Sequence, residues 1–179
     1  MYDQAVGNDG LRACVTASNQ DVIKYKPVWT IQKFNLRDGE PEAEPYEVSS
    51  FDGNLLLNEG ITTLLNLLTG STSTVETPFN NANSYLAVGN SSAAAAAGQT
   101  DLQGTNKYKV MTATYPQIAS QTVTFRATFG STEANFNWRE FSVANGASGA
   151  AKNLNRKVSL QGQKVSGQSW VLDLGITFS

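Results

Sequence analysis

Apolar and polar residues alternate along several stretches of the chain, most regularly toward its carboxyl end. In residues 121–130 and 170–178 every second side chain is apolar, which is the pattern of a strand with one buried face. The apolar positions are Val123, Phe125, Ala127, Phe129, Trp170, Leu172, Leu174, Ile176 and Phe178. The same alternation predicts strands at 27–36 and 155–160, and a short apolar run predicts a buried strand at 85–89.

One interruption of this pattern predicts a β-bulge. Phe136 and Trp138 alternate regularly, and the pair Arg139 and Glu140 then breaks the alternation before Phe141. An extra residue in one strand changes which face its side chains point to. Arg139 and Glu140 would form a buried pair that fixes the bend, or would supply half of a salt bridge between subunits.

Residues 58–69 have the periodicity of a helix instead. Ile61, Leu64, Leu65 and Leu68 recur with the i, i+3, i+4, i+7 spacing of one helical face. Asn58 is a candidate N-cap, Glu59 suits the positive end of the helix dipole, and Gly70 is a candidate left-handed stop. We expect this apolar stripe to be buried against a sheet or against a partner.

Many short strands with a single helix predict a mainly β fold, either an antiparallel β-sandwich or a jelly-roll-like barrel. Residues 27–179 would form this domain, with its short helix near 58–69. Residues 1–26 are polar with scattered apolar positions, so they are an N-terminal arm or extended segment, or else a frayed first strand. The acidic, proline-containing residues 38–45 are predicted to be a solvated connector.

Composition excludes several classes of partner. The formal net charge is −2 and charged residues make up only 16% of the chain, so no basic stripe is available for nucleic acid. The first residues lack the pattern of a secretory signal, and no apolar run approaches ~18 residues, so no membrane partner is expected. Cys14 is the only cysteine, which excludes a disulfide within the chain and favours synthesis in a reducing cytoplasm.

The residue types needed for common catalytic sites are missing. The chain has no histidine and one cysteine, which rules out Ser-His-Asp, Cys-His and thiolate-zinc arrangements. No phosphate-binding or dinucleotide-binding motif occurs. We therefore predict a protein that is not an enzyme and has no catalytic residue, cofactor or metal site. Trp29, Trp138 and Trp170 fit strand patterns and are predicted to be core residues, although two exposed tryptophans on one face would make a sugar-binding platform.

From residue 54 onward the order of motifs resembles a widespread set of tailed-bacteriophage structural proteins, described as head decoration, cement or tail-associated proteins. The motifs are NLLLNEG at 54–60, NSYLAVGNSS at 83–92, QTDLQG at 99–104, VTFRATF at 123–129, ANFNWREF at 134–141 and LNRK at 154–157. They cover roughly the last two-thirds of the chain and have no catalytic signature.

The resemblance implies a virion protein, made in the host cytoplasm, that assembles as a homo-oligomer such as a trimer on the outer capsid surface. Its partner would be the major capsid protein, and it would stabilise the junctions between capsomers. The candidate contact elements are the N-terminal arm and the loops at 71–84, 90–106 and 144–153. The candidate interface residues are Tyr2, Val6, Leu11, Phe79, Tyr108, Trp138 and Arg139.

Two other functions fit the same sequence. A carbohydrate-binding adhesion module of a tail fibre or baseplate would need exposed aromatic residues in a groove. A neck or tail connector ring would need ring symmetry and an axial pore, and only its position in the particle would separate it from a decoration protein.

Overall fold

A computed structural model describes residues 24–70 and 76–179. Its elements are mostly strands, as the alternating patterns predicted, with one helix at the predicted place. In chain order they are β1 (Tyr25–Arg37), β2 (Glu40–Pro41), β3 (Glu47–Asp52), β4 (Leu55–Leu56), α1 (Asn58–Thr69), β5 (Tyr85–Gly89), β6 (Asn106–Val110), β7 (Gln117–Ala119), β8 (Thr122–Phe129), β9 (Asn137–Ala144), β10 (Asn155–Gln163) and β11 (Gln168–Phe178).

The strands form two antiparallel sheets. The first has the order β2-β1-β11-β8-β7, with β3 also paired to β1, and the second has the order β4-β10-β9-β5-β6. The inner faces of both sheets contribute to one apolar core, which confirms the predicted β-sandwich class. β1 begins at Tyr25, two residues before the predicted start of the domain, and residues 1–23 of the predicted arm lie outside the described residues.

All three tryptophans are in this core, with 0% of Trp29, 0% of Trp138 and 1% of Trp170 exposed. The rings of Trp138 and Trp170 meet edge to face at 4.8 Å between centroids, which is a favourable aromatic geometry. The prediction that the tryptophans are core residues is confirmed. Trp138, named as an interface residue, is therefore not available to another protein, and the tryptophans form no sugar-binding platform.

Helix α1 has the predicted bounds, but most of its predicted apolar stripe is exposed. Leu64 is partly buried and packs against the core, as predicted. Ile61, Leu65 and Leu68 are 40%, 55% and 82% exposed, so the prediction of burial is wrong for these three residues. The buried residues of the helix are Gly60 and Thr63. Small side chains let the helix approach the sandwich closely, and this closeness decides which face is buried.

The amino-terminal end of α1 differs from the prediction, and the carboxyl-terminal end agrees with it. Asn58 is already the first helical residue, and Leu57 occupies the N-cap position without a side-chain cap hydrogen bond, so the predicted Asn58 cap is wrong. Gly70 ends the helix in the left-handed conformation with φ 60°, as predicted. No helix in the described parts of the chain is long and apolar enough to span a membrane.

The irregularity expected in β9 belongs to its neighbour. β9 is continuous from Asn137 to Ala144, so the predicted bulge at Arg139 and Glu140 is wrong. The register instead shifts in β10, where Val158 pairs with Glu140 and Gly162 pairs with Trp138. The extra residues therefore lie in β10, opposite the predicted place.

Candidate functional site

Two long loops and the start of α1 meet at one end of the sandwich. The main-chain N–H of Asn58 donates to the carbonyl of Ala97 at 2.8 Å, and the side-chain amide of Asn153 donates to the carbonyl of Thr100 at 2.9 Å. The carboxylate of Glu59 accepts the main-chain N–H of Asn153 at 2.7 Å. We call this region the loop surface and define it as residues 58–59, 90–105 and 145–153.

A buried ion pair lies beneath the loop surface. Glu140 in β9 and Arg156 in β10 both have fully buried side chains, and the Nε and Nη2 atoms of Arg156 donate to Oε2 of Glu140 at 3.0 and 2.7 Å. Removing two charges from water costs several kcal/mol for each ion, which only complete hydrogen bonding offsets. The predicted partner Arg139 is wrong, because neighbouring residues of a strand point to opposite faces.

The remaining lone pairs of Glu140 accept hydrogen bonds from the loop at 90–105. The main-chain N–H groups of Ser91 and Gly104 donate to Oε1 at 3.2 and 2.9 Å, and that of Gln103 donates to Oε2 at 2.8 Å. One carboxylate thus holds the first and last turns of a loop that has no helix or strand of its own. Charge-assisted hydrogen bonds of this kind are about twice as strong as neutral ones.

Gln99 fixes the middle of the same loop. Its Oε1 accepts from Nη1 of Arg156 at 3.0 Å and from the main-chain N–H of Ala96 at 3.0 Å, and its Nε2 donates to the carbonyl of Ala94 at 3.2 Å. The alanine run is thereby tied back to the buried pair. Ala93, Ala94 and Ala96 are exposed and form the outer part of the loop.

Tyr108 joins the two loops through its hydroxyl. This group donates to Oδ1 of Asp101, while Oδ1 of Asn153 lies 3.3 Å away and accepts a second bond of 2.7 Å from Ser142. Burial, together with the hydrogen bond to the Asp101 carboxylate, raises the pKa of Tyr108 above its ordinary value. The hydroxyl therefore stays protonated and remains a donor at physiological pH.

The named interface residues are scattered. Tyr2, Val6 and Leu11 lie outside the described residues. Phe79 is partly buried against the core, Trp138 is fully buried, and Arg139 is half-buried in β9. Tyr108 adjoins the loop surface but uses its hydroxyl inside the chain.

The predicted contact loops lie together in the structure, whereas the predicted interface residues do not. The structure brings the predicted 90–106 and 144–153 loops together, and Asn145 links residues 76–84 to them through a 2.7 Å bond to the carbonyl of Thr77. Sequence reasoning missed Arg156 and Gln99 as partners. No local signal marks them, because they meet Glu140 and each other only through the pairing of β9 with β10 and the return of a long loop.

The loop surface carries three charged side chains, those of Glu59, Asp101 and Lys152. Within residues 24–70 and 76–179, no group of three or more cysteine, aspartate or glutamate side chains is arranged to hold a metal ion. The carboxylates of Glu59, Asp101 and Glu140 accept hydrogen bonds within the chain, and Nζ of Lys152 lies 3.7 Å from Glu59. The outer residues at 92–98 are serine, alanine and glycine, so this part of the loop surface presents backbone and small side chains.

The chain was compared with protein families, curated proteins and solved structures. No family model, no curated protein and no solved structure matches the chain. Function therefore has to be argued from the residues and their geometry.

Proposed function

We propose that this protein is a structural component of a tailed-phage particle, a head decoration or cement protein that docks on the outer capsid surface through its loop surface. In this proposal its partners are the major capsid protein and further copies of itself, for example as a trimer. It would reinforce the junctions between capsomers against the pressure of the packaged DNA. The proposed place of action is the virion.

The single observation that carries this proposal is the internal fixation of the loop at 90–105 by Glu140. Ordering a loop at the moment of binding costs about 1–2 kcal/mol for each residue whose backbone becomes fixed. A loop already held by a buried carboxylate and three main-chain hydrogen bonds avoids most of that cost. A loop surface that is ordered before binding suits a protein that must stay attached to a capsid.

The resemblance to phage structural proteins supports the same conclusion. The motifs that carry it include 99–104, 134–141 and 154–157, and these contain Glu140 and Arg156 together with Gln103 and Gly104 of the loop that they hold. Many identical copies on one shell would add avidity, so a modest contact per copy is sufficient. The carbohydrate-binding alternative loses support because each tryptophan is buried.

A binding experiment with the exposed alanine run tests the proposal. Particles that lack the protein are mixed with the purified wild type or with Ala94→Arg, and occupancy is measured by quantitative mass spectrometry and cryo-electron microscopy. We expect Ala94→Arg to bind at least about tenfold more weakly with an unchanged melting temperature, because a large charged side chain disrupts a shape-complementary contact.

Ile118→Arg is the matched control. Ile118 is 80% exposed on β7, at the edge of the other sheet, so this variant adds the same charge away from the loop surface and should bind as the wild type does. Equal occupancy of Ala94→Arg and wild type would exclude the loop surface as the docking site. Absence of the protein from purified intact particles would overturn its assignment to the virion.

A further inference from the structure

A buried lysine lies at the opposite end of β9 from the loop surface. Lys164 directly follows β10 and is 0% exposed, although lysine is almost never fully buried unless it is paired. Its Nζ donates to the carbonyl of Gly130 at 2.6 Å and to Oδ1 of Asn135 at 3.0 Å. Both acceptors are neutral groups of the segment between β8 and β9. The fold therefore holds a lysine amine against a side-chain amide.

The amide of Asn135 is fixed at both of its polar atoms. Its Nδ2 donates to the carbonyl of Ser131 at 2.9 Å, while its Oδ1 accepts from Nζ of Lys164. Because a carbonyl bond is about 1.23 Å long, this contact places Nζ within about 4.2 Å of the amide carbon Cγ. Reacting atoms in a productive arrangement are about 3–3.5 Å apart, so a small side-chain rotation brings the amine onto Cγ.

Further hydrogen bonds hold together the two segments that carry these side chains. The main-chain N–H of Lys164 donates to the carbonyl of Phe136 at 3.1 Å, and that of Gly167 donates to Oγ of Ser131 at 2.9 Å. The fold thus keeps the amine and the amide as neighbours. Such proximity favours a reaction between two groups that would rarely meet in an unfolded chain.

The surroundings of the amine also favour its reactive form. Burial lowers the pKa of Lys164 to about 8, against a smaller opposite effect from the charge of Glu133. A lowered pKa increases the fraction of neutral amine, which is the nucleophile. Oε2 of Glu133 accepts the main-chain N–H of Gly130 at 2.9 Å, and the carbonyl of this same glycine holds Nζ of Lys164. A carboxylate placed there can carry a proton from the amine to the departing amide nitrogen.

We propose that Lys164 and Asn135 join in an isopeptide bond within the folded chain. The neutral Nζ attacks Cγ, a bond forms between them, and the bond from Cγ to Nδ2 breaks. One amine proton passes through the carboxylate of Glu133 to Nδ2, which leaves as ammonia, so the exchange needs no oxidant or reductant. The new amide ties the segment before β9 to the turn after β10. This inference concerns the chain alone and does not depend on the phage proposal.

Mass spectrometry of the full-length protein tests the bond directly. We expect the wild type to be lighter than its sequence mass by one molecule of ammonia. Trypsin should release residues 127–139 covalently joined to residues 158–179, because it does not cleave after a modified Lys164. Cyclisation of an asparagine to a succinimide gives the same loss of mass but joins no two peptides. A full sequence mass, or a loss of ammonia without the joined peptides, would overturn the proposal.

Two neighbouring asparagines provide a variant and its matched control. Asn135→Ala should have the full sequence mass and yield no joined peptides, because the amide carbon is gone. Asn137→Ala changes an exposed residue of the same tryptic peptide and should still yield them. Circular dichroism checks that both variants fold. Joined peptides that persist in folded Asn135→Ala would contradict the assignment of Asn135.

Glu133→Gln and Lys109→Gln separate proton transfer from packing. Both variants break the 2.7 Å ion pair between Nζ of Lys109 and Oε2 of Glu133, but only the first removes the carboxylate. Shortly after synthesis, we expect the cross-linked fraction to be at least about tenfold smaller in Glu133→Gln and close to the wild-type value in Lys109→Gln. Equal fractions in the two variants would exclude Glu133 as the proton carrier.

Discussion

Glu42 and Glu140 are both paired with an arginine, but their surroundings differ completely. The Glu42 carboxylate lies 3.3 Å from Arg37, and the two side chains are 36% and 80% exposed, so water competes for both. Glu140 and Arg156 have no exposed surface. An exposed pair contributes about 0–1 kcal/mol, whereas removing one partner of a buried pair costs about 3–5 kcal/mol.

Glu140→Gln is therefore expected to lower the free energy of unfolding by about 3–5 kcal/mol, because Arg156 and three main-chain N–H groups lose their charged acceptor. Glu42→Gln should change it by less than about 1 kcal/mol. Urea denaturation at neutral pH measures both values. Amide exchange at Gln103 and Gly104 should accelerate in the first variant alone. Equal stabilities of the two variants would show that the buried carboxylate does not hold the loop.

Residues differ in how far the sequence foretells their role. Trp170 is predictable as a core residue, because its burial follows from the alternation of its own strand. The partner of Glu140 is not predictable in this way. Arg156 is reached only through the register of β9 with β10, and that register shifts at Gly162. The register shift between β9 and β10 cannot be read from the sequence pattern of either strand.

At the scale of elements, α1 shows the limit of periodicity. The spacing of Ile61, Leu65 and Leu68 identifies residues on one helical face, but it does not say whether that face meets the sandwich. A Cβ added at Gly60 would lie 2.4 Å from the carbonyl oxygen of Leu154, so the backbones of α1 and of the loop before β10 are in direct contact. This close approach requires glycine, and in this orientation Ile61, Leu65 and Leu68 are left exposed.

Gly60→Ala should therefore destabilise the protein, although alanine is the better helix former by about 1 kcal/mol. The added methyl group forces α1 away from Leu154, and overpacking of this kind costs about 1–3 kcal/mol. Gly98→Ala is the control, because a Cβ at Gly98 meets no atom within 4 Å. Thermal unfolding followed by circular dichroism should show a lower midpoint for the first variant only. A raised midpoint for Gly60→Ala would contradict the close packing.

The short, polar edge strand β3 also escaped prediction. β3 has the sequence EVSSFD, which contains no run of apolar residues at every second position. Its extended conformation comes from pairing with β1, which presents a ready-made row of hydrogen-bonding groups. Local sequence patterns reveal strands that contribute to the core, and they miss strands that mainly complete an edge.

On the scale of the whole molecule, the two ends of the described sandwich meet. β1 and β11 pair along nearly their full lengths, and β11 lies between β1 and β8 in the larger sheet. The main-chain N–H of Lys24 donates to the carbonyl of Ser179 at 2.6 Å, and Ser179 returns a bond of 3.1 Å. The sandwich class follows from composition and alternation, but this order of strands does not, because it depends on pairing between opposite ends of the chain.

A circular permutant tests this topology. We expect the sandwich to fold when Ser179 is joined to Lys24 by a short glycine-serine linker and the chain is opened between Asp38 and Gly39, since both are exposed and the junction lies in the turn between β1 and β2. Its melting temperature, measured by circular dichroism, should stay within about 10 °C of the melting temperature of the unpermuted chain 24–179. For domains of this size, a change of 1 kcal/mol in stability shifts the melting temperature by about 2–4 °C. Opening the same circle between Leu172 and Asp173 divides the central strand β11 and should abolish cooperative unfolding. If the second permutant folded and the first did not, the larger sheet could not be held together by β11.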